Sequence, residues 1–159
     1  RRVLFRSYPV VSAAQAIDAA LQQLGAQRIA LACPYPDWLL EAAQGFWAGR
    51  GYEIASGDSV QAASGDTRSI YALSGAQAGE LIRRQFREVE ADAYLVTGTG
   101  LPGLRLIADL GAEHGRPALN SNLALAWYCL QRAGIALGDR QPGDGDTLLG
   151  GWIDDLDTL

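Results

Sequence analysis

The residues best suited to chemistry lie in a few short segments. Gly98-Thr99-Gly100-Leu101-Pro102-Gly103 offers free backbone N–H groups where a helical pattern begins, flanked by the Thr97 and Thr99 hydroxyls. Such a turn is an anion hole, and with no Lys or Arg beside it in sequence its natural guest is a small carboxylate. It equally suits an enediolate, the species formed when a carboxylic acid loses an α-proton or an α-carboxylate. Cys33 and Tyr35 bracket a proline break. A thiolate at a helix N-terminus has a lowered pKa, which makes Cys33 a candidate acid or base. Its bland alternative is a small buried hydrophobe. Arg68, in Asp66-Thr67-Arg68, has the bidentate fork for a second carboxylate, or is an exposed loop arginine. His114 falls at a helix C-terminus, where a helix-end role outweighs a catalytic one.

What is missing narrows the chemistry. All 13 basic residues are Arg, which excludes Schiff-base and P-loop lysines. One His excludes a multi-histidine metal site. Asp144, Asp146, Asp154, Asp155 and Asp157 lack the ligand order of a calcium loop and read as a solvated acidic tail. The glycine segment matches G-x-G-x-x-G, but it follows the third strand of the pattern and carries Pro102 inside the turn. Asn120, Ser121 and Asn122 stand where a dinucleotide site would place its acidic residue. A dinucleotide site is therefore the weaker reading, a glycine turn made for packing is another, and the anion hole fits better. No cofactor and no metal are expected.

The elements that must position these groups alternate. Ser12 to Leu24 is apolar at helical spacing, with Ser12 as N-cap and Gly25 as its stop. Arg28 to Cys33 reads as a buried strand. Asp37 is expected to cap a helix to about Arg50 that buries Leu39, Leu40, Ala43, Phe46 and Trp47. Tyr52 to Ser56 is a second strand, and Gly57 to Arg68 a polar loop long enough to suspect function. Ser74 to Val89 is a helix, Ala93 to Thr97 a strand, and the glycine turn leads into a helix through Leu110. Ala118 to Asn120 is a short strand, and Asn122 is expected to cap a last helix with Cys129 in the core. Strands separated by helices pair in parallel through right-handed crossovers. The expected fold is a doubly wound α/β lobe, with a mainly parallel four-stranded sheet flanked by helices. Ligands in such sheets bind beyond the carboxyl ends of the strands. Residues 8–137 form this lobe, and residues 138–159 are a Gly/Asp-rich segment belonging to another lobe or packing on it.

Composition sets the surroundings. The 159 residues, 48% hydrophobic and 19% charged, suit an ordinary globular chain. A net charge of -5 argues against nucleic acid as a partner, and the Arg83, Arg84 and Arg87 cluster sits among Glu80, Glu88 and Glu90 as a solvated face. Two cysteines make no disulfide framework, so a cytoplasmic setting is the default. No apolar run nears the roughly 20 residues of a membrane span. A homo-oligomer is open. The chain has no Met, and Arg1 to Ser7 look like a translated sequencing-library adapter. The expectation is that the native polypeptide begins near Tyr8, within a longer gene.

Ile29 to Tyr35, Ala91-Asp92-Ala93 through Pro102, and Pro117 to Asn122 with Leu125 and Trp127 together resemble the aspartate/glutamate racemase superfamily. The branch is that of maleate cis-trans isomerases and arylmalonate decarboxylases. The resemblance implies two similar α/β lobes with the site between them, and cofactor-free chemistry at a carbon next to a carboxylate. It implies that Tyr35 hydrogen-bonds the substrate carboxylate; with the anion hole read above, Tyr35, Thr97, Gly98, Thr99 and Gly100 are expected to hold that group. It also exposes a departure. The family's second-lobe cysteine directly follows the strand, and Gly98 stands at that position. Expected is therefore a fragment of a racemase, isomerase or decarboxylase, inactive alone. The alternative is a non-catalytic lobe that binds a small ligand.

Overall fold

The computed structural model describes residues 10–60, 74–101 and 103–135. Its elements run α1 (Ala13–Gln23), β1 (Arg28–Cys33), α2 (Asp37–Ala48), β2 (Glu53–Ser59), α3 (Gly75–Phe86), β3 (Ala93–Val96), α4 (Leu104–His114), β4 (Ala118–Asn120) and α5 (Ser121–Arg132). The strands form one parallel sheet in the order β2-β1-β3-β4. Chain order reverses between β1 and β3, so consecutive connections leave on opposite sides there and open a crevice at the strand ends. The α1 helix packs on α5, and α3 packs on α4. Helices α1 and α2 share a groove with Ser121, hence one face, and right-handed crossovers put α3 and α4 on the other.

The two central strands explain the core. Ile29 to Cys33 and Ala93 to Val96 are buried throughout, as strands covered on both faces must be. Leu21, Ile82, Phe86, Ile107, Leu110 and Leu123 close on them from the helices. Helices α1 and α3 each begin with a full capping box, Ser12 with Gln15 and Ser74 with Gln77. Among the described residues, no helix is long and apolar enough to cross a membrane.

Several local expectations are corrected. Asn120, not Asn122, caps α5, its side chain accepting from the Leu123 N–H at 2.8 Å. Strand β4 runs straight into the helix, so the strand's last residue becomes the cap. Asp37 is the first helical residue behind Pro36 and makes no side-chain cap; its carboxylate favours the helix through the dipole instead. Phe46 is half exposed beside buried Trp47, because neighbouring helix positions cannot both face inward. The Arg50 guanidinium covers the Phe46 ring at 4.1 Å. Cys129 is exposed rather than core. Strand β2 extends to Ser59, three residues into the expected loop, since Ser59 pairs with Cys33 and the Gly57 and Ser59 carbonyls accept from Gln44 and Gln85. Helix α3 ends at Phe86, short of Val89. Arg83 is not merely solvated: it pairs with Asp109 and Glu113 and ties α3 to α4.

The turn before β3 is fixed by Asp92. Its carboxylate accepts from the Gln27 and Arg28 N–H groups at 2.9 and 2.8 Å, joining the start of β1 to the start of β3. Those two bonds hold its pKa below the usual carboxylate value. A depressed pKa contributes stability above the unfolded-state value, which is lost as pH falls through the folded one. Asp92→Ala is therefore expected to lower the unfolding free energy by about 1 kcal/mol at neutral pH, the exposed carboxylate being screened. Urea titrations should show the gap to wild type closing as pH falls below the ordinary carboxylate range.

Candidate active site at the carboxyl ends of β1 and β3

Parallel register sets Ala32 beside Val96, so the residues that follow, Cys33 and Thr97, come together at the sheet edge. The Thr97 hydroxyl donates to the Cys33 Sγ at 3.0 Å, and both residues are buried. Burial pushes the Cys33 thiol up to about 11, only partly countered by that bond. This overturns the expectation of a lowered pKa: Cys33 closes the strand inside the core and lies before, not at, the start of α2.

Tyr35 is half-buried beyond them. Burial also raises its phenol, and the nearby Thr97 hydroxyl counters part of the rise. Its carbonyl accepts from the Ser59 hydroxyl at 2.6 Å. Ser59 was invisible to sequence reasoning, because only the strand pairing brings it there. The Tyr35 hydroxyl itself has the Thr97 side chain as its hydrogen-bonding neighbour. It faces a groove of about 390 Å³ with Thr97, Thr99 and Ser121 at one end, and Ile17, Leu39, Phe46 and Trp47 along it. No charged side chain lines the groove among the described residues.

The turn after β3 completes the site. The Thr97 N–H donates to the Ala32 carbonyl, and the Leu101 N–H to the Gly98 carbonyl. Between them the N–H groups of Gly98, Thr99 and Gly100 donate to no described residue. Gly98 adopts φ 100°, a left-handed conformation that glycine reaches without strain. The Asn122 side chain donates to the Thr99 carbonyl at 3.1 Å and anchors the turn to α5. Gly103 comes so close to Asn120 that a Cβ there would sit 3.1 Å from its Nδ2.

Structure thus brings together Cys33, Tyr35, Thr97, Gly98, Thr99 and Gly100. Arg68, the acidic Asp144 to Asp157 group and residues 1–7 lie outside the described residues. His114 sits at the opposite end of the sheet, its ring 4.2 Å from that of Tyr94.

Solved structures of decarboxylases and isomerases share this architecture. Maleate isomerase from Pseudomonas putida S16 is 25% identical with a TM-score of 0.76, over 90% of this chain and 56% of that one. It has also been solved with maleate. Maleate cis-trans isomerase from Nocardia farcinica, in a variant with a covalently bound succinylcysteine intermediate, is 25% identical with a TM-score of 0.70, over 79% of this chain and 51% of that one. Unliganded arylmalonate decarboxylase is 25% identical with a TM-score of 0.67, over 82% and 56%. The chain spans little more than half the length of these proteins. No curated protein sequence gives a significant match. A family model described as arylmalonate decarboxylase matches residues 5–148. The chain belongs to the arylmalonate decarboxylase family.

The two thiols should separate in a disulfide-exchange assay with Ellman's reagent at pH 8. One rapid equivalent is expected from exposed Cys129, and Cys129→Ser should abolish it. Buried, protonated Cys33 should react only on unfolding.

Proposed function

We propose that this chain is one lobe of a cofactor-independent enzyme that makes or breaks a bond at the carbon next to a carboxylate, as a decarboxylase, isomerase or racemase. The observation that carries the reading is the set of unpaired donors at the β1/β3 crevice. Three consecutive N–H groups there, Gly98 to Gly100, donate to no described residue, and Tyr35, Thr97 and Thr99 line the groove. Donors left without partners beside a groove fit an anion. Loss of a proton or of carbon dioxide from the α-carbon moves charge onto the remaining carboxylate oxygens. Fixed dipoles aimed at those oxygens lower that barrier without moving during the reaction. The maleate-bound isomerase supports a small carboxylate or dicarboxylate as the guest.

The acid and base must come from elsewhere in the protein. Gly98 has no side chain, and Cys33 is too deeply protonated to act as a thiolate near neutral pH. The succinylcysteine in the Nocardia isomerase marks a cysteine as the reactive group of that protein, so the corresponding group here would lie outside residues 10–135. Arg68 stays a proposed partner for a second carboxylate.

In the whole protein carrying this lobe, Tyr35→Phe should cut turnover of a malonate-type acid roughly 10²-fold, the scale of one lost oxyanion donor. Unchanged kinetics would remove Tyr35 from the site. Malonate binding without turnover of any carboxylic acid would favour the non-catalytic binding lobe.

A further inference from the structure

The register that brings Cys33 beside Thr97 continues one strand further. Val96 pairs with Asn120, so the residues that follow, Thr97 and Ser121, neighbour each other at the carboxyl edge, and both line the groove. Three polar residues are buried among those described: Thr97, Asn120 and Ser121. Thr97 donates to the Cys33 sulfur, and Asn120 accepts from the Leu123 N–H. The Ser121 hydroxyl has no hydrogen-bond partner among the described residues, although Ser121 is only 5% exposed. Native proteins rarely leave a buried hydroxyl unmatched unless something else is to meet it.

The surroundings say what would meet it. Ser121 is the first residue of a 12-residue helix, and no acidic side chain in the first turn offsets the positive end of its dipole. The Asn122 side chain, one residue on, donates to the Thr99 carbonyl at 3.1 Å and so ties the helix start to the turn after β3. Neighbouring strands stand about 4.8 Å apart, so a group bound at Ser121 lies roughly one strand spacing from a group bound at that turn. Two carboxylates joined through one or two carbons span such a distance between their outer oxygens. Farther along the groove, Ile17, Leu39 and Ala43 offer a second carboxylate no donor.

We propose that Ser121 is a specificity-determining residue: its hydroxyl, at the positive end of α5, donates to the second carboxylate of a dicarboxylate whose first carboxylate sits on the turn after β3. The inference deepens the carboxylate-binding reading and rests on it. The hydroxyl keeps its proton; the contact sets which group of the ligand points toward α5 and separates a diacid from a monoacid.

The test uses malonate and propionate, which share a three-carbon skeleton and differ in the second carboxylate. Ser121→Ala removes the hydroxyl and leaves no protein group unpaired, so its urea midpoint should equal or exceed that of wild type. In the whole protein carrying this lobe, NMR titrations should show Ser121→Ala weakening malonate roughly tenfold, the scale of one hydrogen bond to a charged group, and leaving propionate unchanged. A purely structural role predicts a lower urea midpoint and equal losses for the two acids. The proposal is overturned if the preference for malonate over propionate survives the substitution, whether both acids weaken or neither does. If both bind wild type and only this preference fails to respond, the carboxylate reading stands and the Ser121 inference alone falls. If wild type binds neither acid, the carboxylate reading falls and takes this inference with it.

Discussion

Three adjacent backbone N–H groups with no acceptor among the described residues are the constraint around which this lobe is arranged. Gly98 to Gly100 leave β3 where the sheet order reverses, so the neighbouring connections diverge and no described carbonyl reaches them. In a closed core such groups would each cost about 1–3 kcal/mol. Here Gly98 and Gly100 are partly exposed and Thr99 is exposed, so water can satisfy such groups. The rest of the architecture holds this turn still. Thr97 is bonded to Ala32 on one side, Leu101 closes the turn on the other, and Asn122 fastens it from α5.

As proposed, this arrangement would stabilise negative charge by backbone dipoles, no charged side chain lining the groove among the described residues. That accords with a chain lacking Lys, and it has an electrostatic consequence. Oriented dipoles favour charge close by and exert little attraction at distance, so a lobe binding as proposed would select for placement of a carboxylate rather than for net negative charge. The same neutrality extends to Cys33, which the sheet seals against hydrocarbon and holds protonated. A strand-end cysteine and a helix-start cysteine look alike on paper. Cys33 stands three residues before the N-cap Pro36, in the core rather than on the helix, and that reverses the sign of the shift.

The sheet was legible because its central strands are covered on both faces, which leaves unbroken apolar runs such as Ile29 to Cys33. The turn after β3 was legible for a related reason: glycines between a strand and a helix mark a tight connection. Errors fell where a residue's role depends on partners distant in sequence. Gly57 to Ser59 is polar and reads as loop, yet pairs with β1 and is satisfied by Gln44 and Gln85 from two helices. Asn120 and Asn122 are equally good caps by type, and only the absence of a linker between β4 and α5 decides between them. Cys129 lies in an apolar stretch, but α5 buries a narrow stripe against α1 and turns that position outward.

Gly98 constrains its turn through the backbone as well as by lacking a side chain. Its φ of 100° belongs to a region where any residue with a Cβ is strained by about 1 kcal/mol or more. A cysteine placed there would either accept that strain or pull the turn back toward ordinary backbone angles. The second course would rotate the neighbouring N–H groups away from their common direction. A side-chain acid at position 98 and the present amide cradle are therefore competing solutions for one short stretch of backbone. In the proposed enzyme this turn would serve as the cradle, and the proton donor would come from another residue.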